Sequence, residues 1–472
     1  MRWLTHFLLA AVYADNPQKK GLNPLNSLKI AVIGSGISGL SAAWLLSQRH
    51  DVTLIEAENS VGGHSNTVDC MTSEGPVAVD TGFIVYNSAT YPNLTALFDY
   101  LNVTTAPSKM GFGVSLRAGA YEYSGAGVSH LLGSIGNLAN PRHWRMVFDL
   151  VRFFRNAARQ GKEMGEDMPL GRFLSEHGYS LDFMNLHLLP VAGAIWSSDP
   201  RQMLDYPARC FLRFFENHGL LNFYERPQWR TVTGGSREYV QRLVGDSRMR
   251  IMTNCPVRSI ERSPLGVTIH GADVYNESFD HVVMATHADQ ALAMLANPAP
   301  EEVHCLSTFR YAKNRAVLHM DESLMPRRKR LWSSWNYVSD GDAKEGSSTV
   351  TYWMNALQPL TTKTNLFVTL NPQREPLQGL IAEEFSYEHP VFTSETGKVQ
   401  RQLWSLQGQH RTWFCGAHFG AGFHEDGLQS GLAVAEQLGG ALRPWNVANQ
   451  NGRIHVTPIK PLPKPHHLEA AE

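Results

Sequence analysis

Two mainly apolar runs, Leu28–Gly34 and Val52–Ala57, broken by Lys29, Thr53 and Glu56 but without regular polar alternation, stand in the first sixty residues of the sequence. That pattern predicts parallel strands buried on both faces. Between them, Ile37–Gln48 repeats apolar residues at helical spacing, so the three segments predict one strand–helix–strand unit. The rhythm then breaks. Residues 94–225 read as mainly helical, with Pro and Gly stops. Strand-like runs return at Val257–Ile260, Val267–Ile269 and Val282–Ala285, and a mixed region covers 301–399. Trp413–Cys415 predicts a last apolar strand before a helix over Gly427–Leu438, and a Pro- and Lys-rich stretch follows from Val447.

The turn inside the first unit carries its chemistry. It reads Gly34-Ser35-Gly36-Ile37-Ser38-Gly39, and Glu56 closes the second strand. Gly34 permits the tight turn, Gly36 lets backbone approach a pyrophosphate, and Gly39 lets helix lie close on strand. The free N–H groups of the helix start, at Ile37 and Ser38, favour the pyrophosphate charge. Glu56 is placed to accept from ribose hydroxyls. These residues predict dinucleotide binding and an α/β fold. A discontinuous Rossmann-like nucleotide domain (28–90, 225–300 and 405–446) is interrupted by a mixed, largely helical α+β substrate domain (91–224 and 301–404). Residues 1–27 form an extension and 447–472 a flexible tail.

Charge and cysteine content narrow the class. The 472 residues hold 42 basic and 43 acidic side chains, so no global field recruits nucleic acid. Five scattered cysteines, with no Cys-x-x-Cys pair, suit a reducing compartment and argue against a zinc site or a disulfide framework. No metal is expected. The first fourteen residues join one arginine to a short apolar run ending Val12-Tyr13-Ala14. A secretory leader and a membrane-contacting extension both remain open there. No other stretch is long and apolar enough to span a bilayer. The expectation is a cytoplasmic protein, with peripheral contact at the inner face of the membrane as an option.

Beyond Glu56 the chain reads Val61-Gly62-Gly63-His64, then Thr233-Gly234-Gly235-Ser236, and finally Cys415-Gly416-Ala417-His418 with Gly422-Phe423-His424-Glu425-Asp426-Gly427-Leu428. Together these segments resemble the flavin-containing amine oxidase superfamily. The resemblance implies noncovalent FAD as sole tightly bound cofactor, since no second glycine-rich nucleotide unit is present. It implies cofactor contacts from Gly34, Gly36, Ile37, Ser38, Gly39, Glu56, Gly62, Gly63, His64, Gly82, Val257, Gly416, Glu425, Asp426, Gly427 and Leu428. His64 stands where the superfamily usually has Arg. Glu425 or Asp426 is expected to take over a ribityl contact, because His418 stands where an acid usually follows. The helix near Leu428 would direct its positive end at the flavin pyrimidine edge.

The segments Val79-Asp80-Thr81-Gly82-Phe83, Asn217-His218-Gly219-Leu220-Leu221 and Tyr352-Trp353-Met354-Asn355 narrow the likeness. They resemble a bacterial branch of predicted NAD/FAD-binding proteins associated with cyclopropane-fatty-acyl-synthase-like genes. That likeness implies a lipid or other apolar small-molecule substrate, oxidised (desaturated) on its acyl chain, and a lipid methyltransferase as partner. Amine oxidases of the superfamily place a Lys near flavin N5; here Asn314 or Arg315 falls at that position, beside Lys313. An amine oxidase, a double-bond isomerase and a non-catalytic flavoprotein partner remain alternatives. His218 and His424 are the expected bases, since imidazole titrates near neutrality. Peripheral contact has two sources in the sequence. Arg142–Arg159 combines Trp144, Val147, Phe148, Val151 and Phe154 with Arg145, Arg152, Arg155 and Arg159, and Arg327-Arg328-Lys329-Arg330 precedes Trp332.

Overall fold

The computed structural model describes residues 27–165, 168–196, 201–217, 221, 227–271, 275–341 and 349–458. Its nucleotide domain is built on five parallel strands: β1 (Lys29–Ile33), β2 (Asp51–Ile55), β3 (Arg250–Met252), β4 (His281–Met284) and β5 (Thr412–Phe414). They lie in the order β3-β2-β1-β4-β5, the doubly wound arrangement of a dinucleotide fold. Strand β3 escaped the sequence reading because Arg-Ile-Met at a sheet edge makes no apolar run.

Helix α1 (Ile37–Ser47) is buried along its whole length, wedged between the sheet and α2 (His424–Gln437). Small residues make that packing possible. A Cβ on Gly431 would overlap the Ser38 carbonyl, and one on Gly427 would lie 2.9 Å from the Ile37 side chain. An antiparallel meander, Val257–Ser263, Gly266–Gly271 and Asn276–Phe279, flanks the domain.

A seven-stranded sheet organises the second body. Its order is Ile381–Val391, Arg310–His319, Phe367–Leu370, Thr349–Trp353, Trp335–Val338, Phe112–Leu116 and Tyr121–Ser124. Every pairing is antiparallel except Trp335–Val338 with Phe112–Leu116. The stretch expected to be mainly helical therefore also contributes two strands to this sheet, besides Thr105–Pro107 elsewhere, and this pairing joins the two substrate segments. Helices Pro141–Glu163, Leu170–Glu176, Leu189–Trp196 and Ala208–Asn217 bury Leu150, Phe153, Phe173 and Phe211 in a core continuous with the nucleotide domain. Val114, Leu318, Tyr337 and Val368 belong to a separate core under the large sheet.

One expectation is corrected. The described part of the tail is packed: Ile454 is buried and Arg453 pairs with Asp426. Helix Pro141–Glu163 buries His143, Met146, Leu150, Phe153 and Ala157, while Trp144 and Phe148 face solvent. No described helix is long and apolar enough to cross a membrane.

Candidate functional site

The glycine turn is held by its own strand ends. Gly34, at φ +95°, donates its N–H to Ile55 O at 2.9 Å. A Cβ on Gly39 would overlap Gly34 O, so helix and turn touch through backbone. Gly36 differs: a Cβ there would meet nothing within 4 Å. It precedes α1 with no side chain capping the helix start, which leaves its first N–H groups to an anion. Gly63, at φ +56°, closes the same space, since its Cβ would stand 3.0 Å from the Gly36 Cα. Glu56 accepts from Ser35 N–H (2.8 Å), Ser35 Oγ (2.5 Å) and Glu58 N–H (3.0 Å). A carboxylate offers about four acceptor sites, so capacity for a ribose hydroxyl remains. Cys255 N–H donates to Glu56 O at 2.9 Å, which starts the strand at Val257 beside this acid.

Glu425 and Asp426 do not face the cradle. Glu425 accepts from Asn93 N–H (3.0 Å), Asn93 Nδ2 (2.8 Å), Leu94 N–H (3.0 Å) and Gln429 Nε2 (3.0 Å), capping the helix Pro92–Tyr100. Asp426 accepts from Arg453, from Phe423 N–H (2.8 Å) and from Ala421 N–H (3.1 Å). Both carboxylates are fully buried and committed to protein donors, so the expected ribityl contact is not theirs. Asp80 is a third buried acid. It accepts from Thr67 Oγ1 (2.6 Å), Ser236 N–H (2.8 Å) and Gln358 Nε2 (2.9 Å), joining the two bodies. Burial raises its carboxyl to about 6.

Five imidazoles gather where the glycine pair, the β4 and β5 ends and α2 converge: His64, His287, His389, His418 and His424. The His64 and His389 rings lie 5.5 Å apart, and His64 also faces Tyr387 at 5.1 Å. Removal from water pushes His64, His418 and His424 down to about 3 and His389 to about 4. All four are neutral near pH 7. His64 therefore brings no cation to the place of the superfamily's Arg. Among the described residues, the buried Nε2 atoms of His64 and His418 have no hydrogen-bond partner. His424 stacks on Phe83 (3.9 Å between rings, 9° between planes), and its Nε2 meets Tyr239 Oη at 2.8 Å. This ring is packed and bonded as a joint. His218, the other expected base, lies outside the described residues.

The strand Arg310–His319 settles which side chain faces inward. Successive residues of a strand point to opposite faces. Asn314 is buried, while Lys313 and Arg315 project outward, Arg315 to Glu375 and Glu384. Asn314 Nδ2 donates to His389 Nδ1 at 3.0 Å and to Ala312 O at 3.1 Å, and its Oδ1 accepts from Asn371 at 2.7 Å. With Nδ1 accepting, the proton of neutral His389 sits on Nε2.

The family model for flavin containing amine oxidoreductases matches residues 37–320. The chain belongs to this family. Among curated relatives, AofH of Mycobacterium tuberculosis, named as a flavin-containing monoamine oxidase, is 26% identical over 296 residues, spanning 60% of this chain and 63% of that one. The chain thus spans under two thirds of the length of these relatives. Amine oxidase A of Bos taurus is 26% identical over 261 residues, 51% of this chain and 46% of its own. Solved structures share the fold. A fatty acid isomerase from P. acnes superposes with TM-score 0.62 at 16% identity, covering 87% of this chain and 98% of the other. A putrescine oxidase superposes at 0.64 and 13%, covering 88% and 99%.

The cofactor of this flavin oxidoreductase family fits the residues present. The open space at Gly36, the uncapped start of α1 and the two orphaned imidazole nitrogens are what FAD would fill. Gly36, Ile37 and Ser38 would hold its phosphates and Glu56 its ribose. The neighbourhood of His64, Gly416 and the first turn of α2 would hold its ring. Gly82 shapes this place indirectly, since a Cβ there would overlap the His64 carbonyl. Gly427 and Leu428 pack α2 against α1. Sequence reading missed Asn93, Arg453, Tyr239 and His389. Their partners are remote in sequence, so no spacing marks them.

Proposed function

We propose that this protein is an FAD-dependent oxidoreductase that removes hydride from the acyl chain of a lipid. When bound, the flavin accepts hydride at N5. The observation that carries the reading is Asn314, buried and bonded to neutral His389, at the position where the resemblance leads one to expect a lysine. Lys313 is 80% exposed and 3.7 Å from Glu388, so no ammonium reaches the inner face from this strand. Neutral imidazoles and an amide suit an uncharged chain better than a cationic amine, and the proton lost alongside the hydride passes to solvent water, because the one free lone pair of His389 is taken by Asn314.

One structural neighbour carries a fatty acid isomerase name, which keeps isomerisation as the second reading. Anaerobic mixing of the FAD-loaded protein with unsaturated or methyl-branched acyl lipids tests both readings. Bleaching of the flavin by lipid but not by mono- or diamines supports oxidation. Conversion of the lipid with no net bleaching supports isomerisation, and bleaching by amines alone overturns both.

A further inference from the structure

Half of the exposed large apolar side chains among the described residues fall in one short region: Val128, Ile135, Leu138, Trp144, Phe148 and Leu181. They come from four elements packed on one another: helices Val128–Leu132, Ile135–Leu138 and Pro141–Glu163, and the turn at Leu181–Phe183. Trp144 Nε1 donates to Leu138 O at 2.8 Å, which seats the indole against the second helix. Arg142 and Arg145 both reach Asp182 at 2.7 Å, which brings Leu181 beside the third. Ile135 is 86% exposed, Val128 78% and Phe148 69%. A surface so apolar needs an occupant.

Charge identifies it. Trp144, Phe148, Arg155 and Arg159 fall within roughly 60° of arc on one helix. Neither Arg155 nor Arg159 has an acidic partner among the described residues. At the other border Arg330 donates to Gly133 O, between the two short helices, so the Arg327–Arg330 cluster rims the same face. Of the acidic groups nearby, Asp149 and Asp182 are neutralised by Arg152, Arg142 and Arg145, Glu122 is buried against Arg328, Glu322 pairs with Lys329, and Glu163 ends the helix one turn beyond Arg159, so the basic rim rests on Arg155, Arg159, Arg327 and Arg330.

We propose that this face docks on an anionic phospholipid bilayer, with Val128, Ile135, Leu138, Trp144 and Phe148 entering the headgroup boundary and the arginines resting on lipid phosphates. Apolar wedge and basic rim on adjoining surfaces are what interfacial binding combines. A protein partner would need acidic and apolar patches matched to both. The proposal is independent of the reaction, since binding is read without turnover.

The test is flotation of the FAD-loaded full chain with phosphatidylglycerol-containing vesicles and with pure phosphatidylcholine vesicles. Flotation with the anionic vesicles, weakened by salt, is expected. The pairs Trp144→Ser/Phe148→Ser and Arg155→Glu/Arg159→Glu should each lower the bound fraction about tenfold, with flavin content and melting temperature unchanged. Failure of the wild type to float, or flotation insensitive to both pairs, overturns the proposal. A dimer abolished by Trp144→Ser/Phe148→Ser, with no vesicle binding, would assign the face to a second copy and also overturn it.

Discussion

Arg453 donates from Nε to Asp426 Oδ1 at 2.6 Å and from Nη2 to Asp426 Oδ2 at 3.2 Å. This ion pair, with the arginine 15% exposed and the carboxylate wholly buried, ties the C-terminal stretch to the first turn of α2. Arg453→Ala would leave a buried charge unpaired, at a cost of about 3–5 kcal/mol. Denaturant melts should show that loss together with weakened FAD retention. Arg453→Met combined with Asp426→Asn should recover a large part of it.

Gly36→Ala and Gly39→Ala separate cofactor space from packing space. The first adds a methyl where no protein atom stands, so the apoprotein should melt normally while FAD affinity falls about tenfold or more. The second forces α1 off the turn and should lower both stability and flavin content. Flavin absorbance per protein, beside thermal melts, reads the difference.

Acid should unfold the protein early. The lowered groups His64, His418, His424 and His389 bind protons more readily when unfolded, so their stabilisation is complete above about 6.5 and is lost as pH falls toward 3–4. Each forfeits up to about 2 kcal/mol by pH 5. Asp80, raised to about 6, and Glu425, also raised by burial, act in the opposite sense, but they are two groups against four. Melting temperatures between pH 7 and 5 should fall steeply, and His418→Gln should flatten that slope.

Asn314→Ala removes the donor that holds the His389 ring and its tautomer. FAD binding should persist while substrate-dependent flavin reduction slows about 10–100-fold. The pH profile of reduction should move as well, an effect that mere loosening of the strand would not produce.

The dinucleotide half was legible because it is local. Gly34, Gly36, Gly39 and Glu56 act through backbone turns and one short crossover, and spacing along the chain is spacing in space. The partners of the Glu425 and Asp426 carboxylates escaped that reading for the opposite reason. The acids' sequence position pointed to the cofactor, but Asn93, some 332 residues away, and Arg453 take up their oxygens. The choice among Lys313, Asn314 and Arg315 needed the register of a strand whose partners lie at 367–370 and 381–391.

The sequence by itself determined the nucleotide unit, the family and hence the flavin, since these rest on short-range glycine geometry and helix-start electrostatics. Only the tertiary structure decided which side chains meet around Asn314, which acids are spent on packing, and that Trp144 and Phe148 face outward. Those outcomes depend on long-range strand pairing and helix rotation, where a shift of one residue exchanges core for surface.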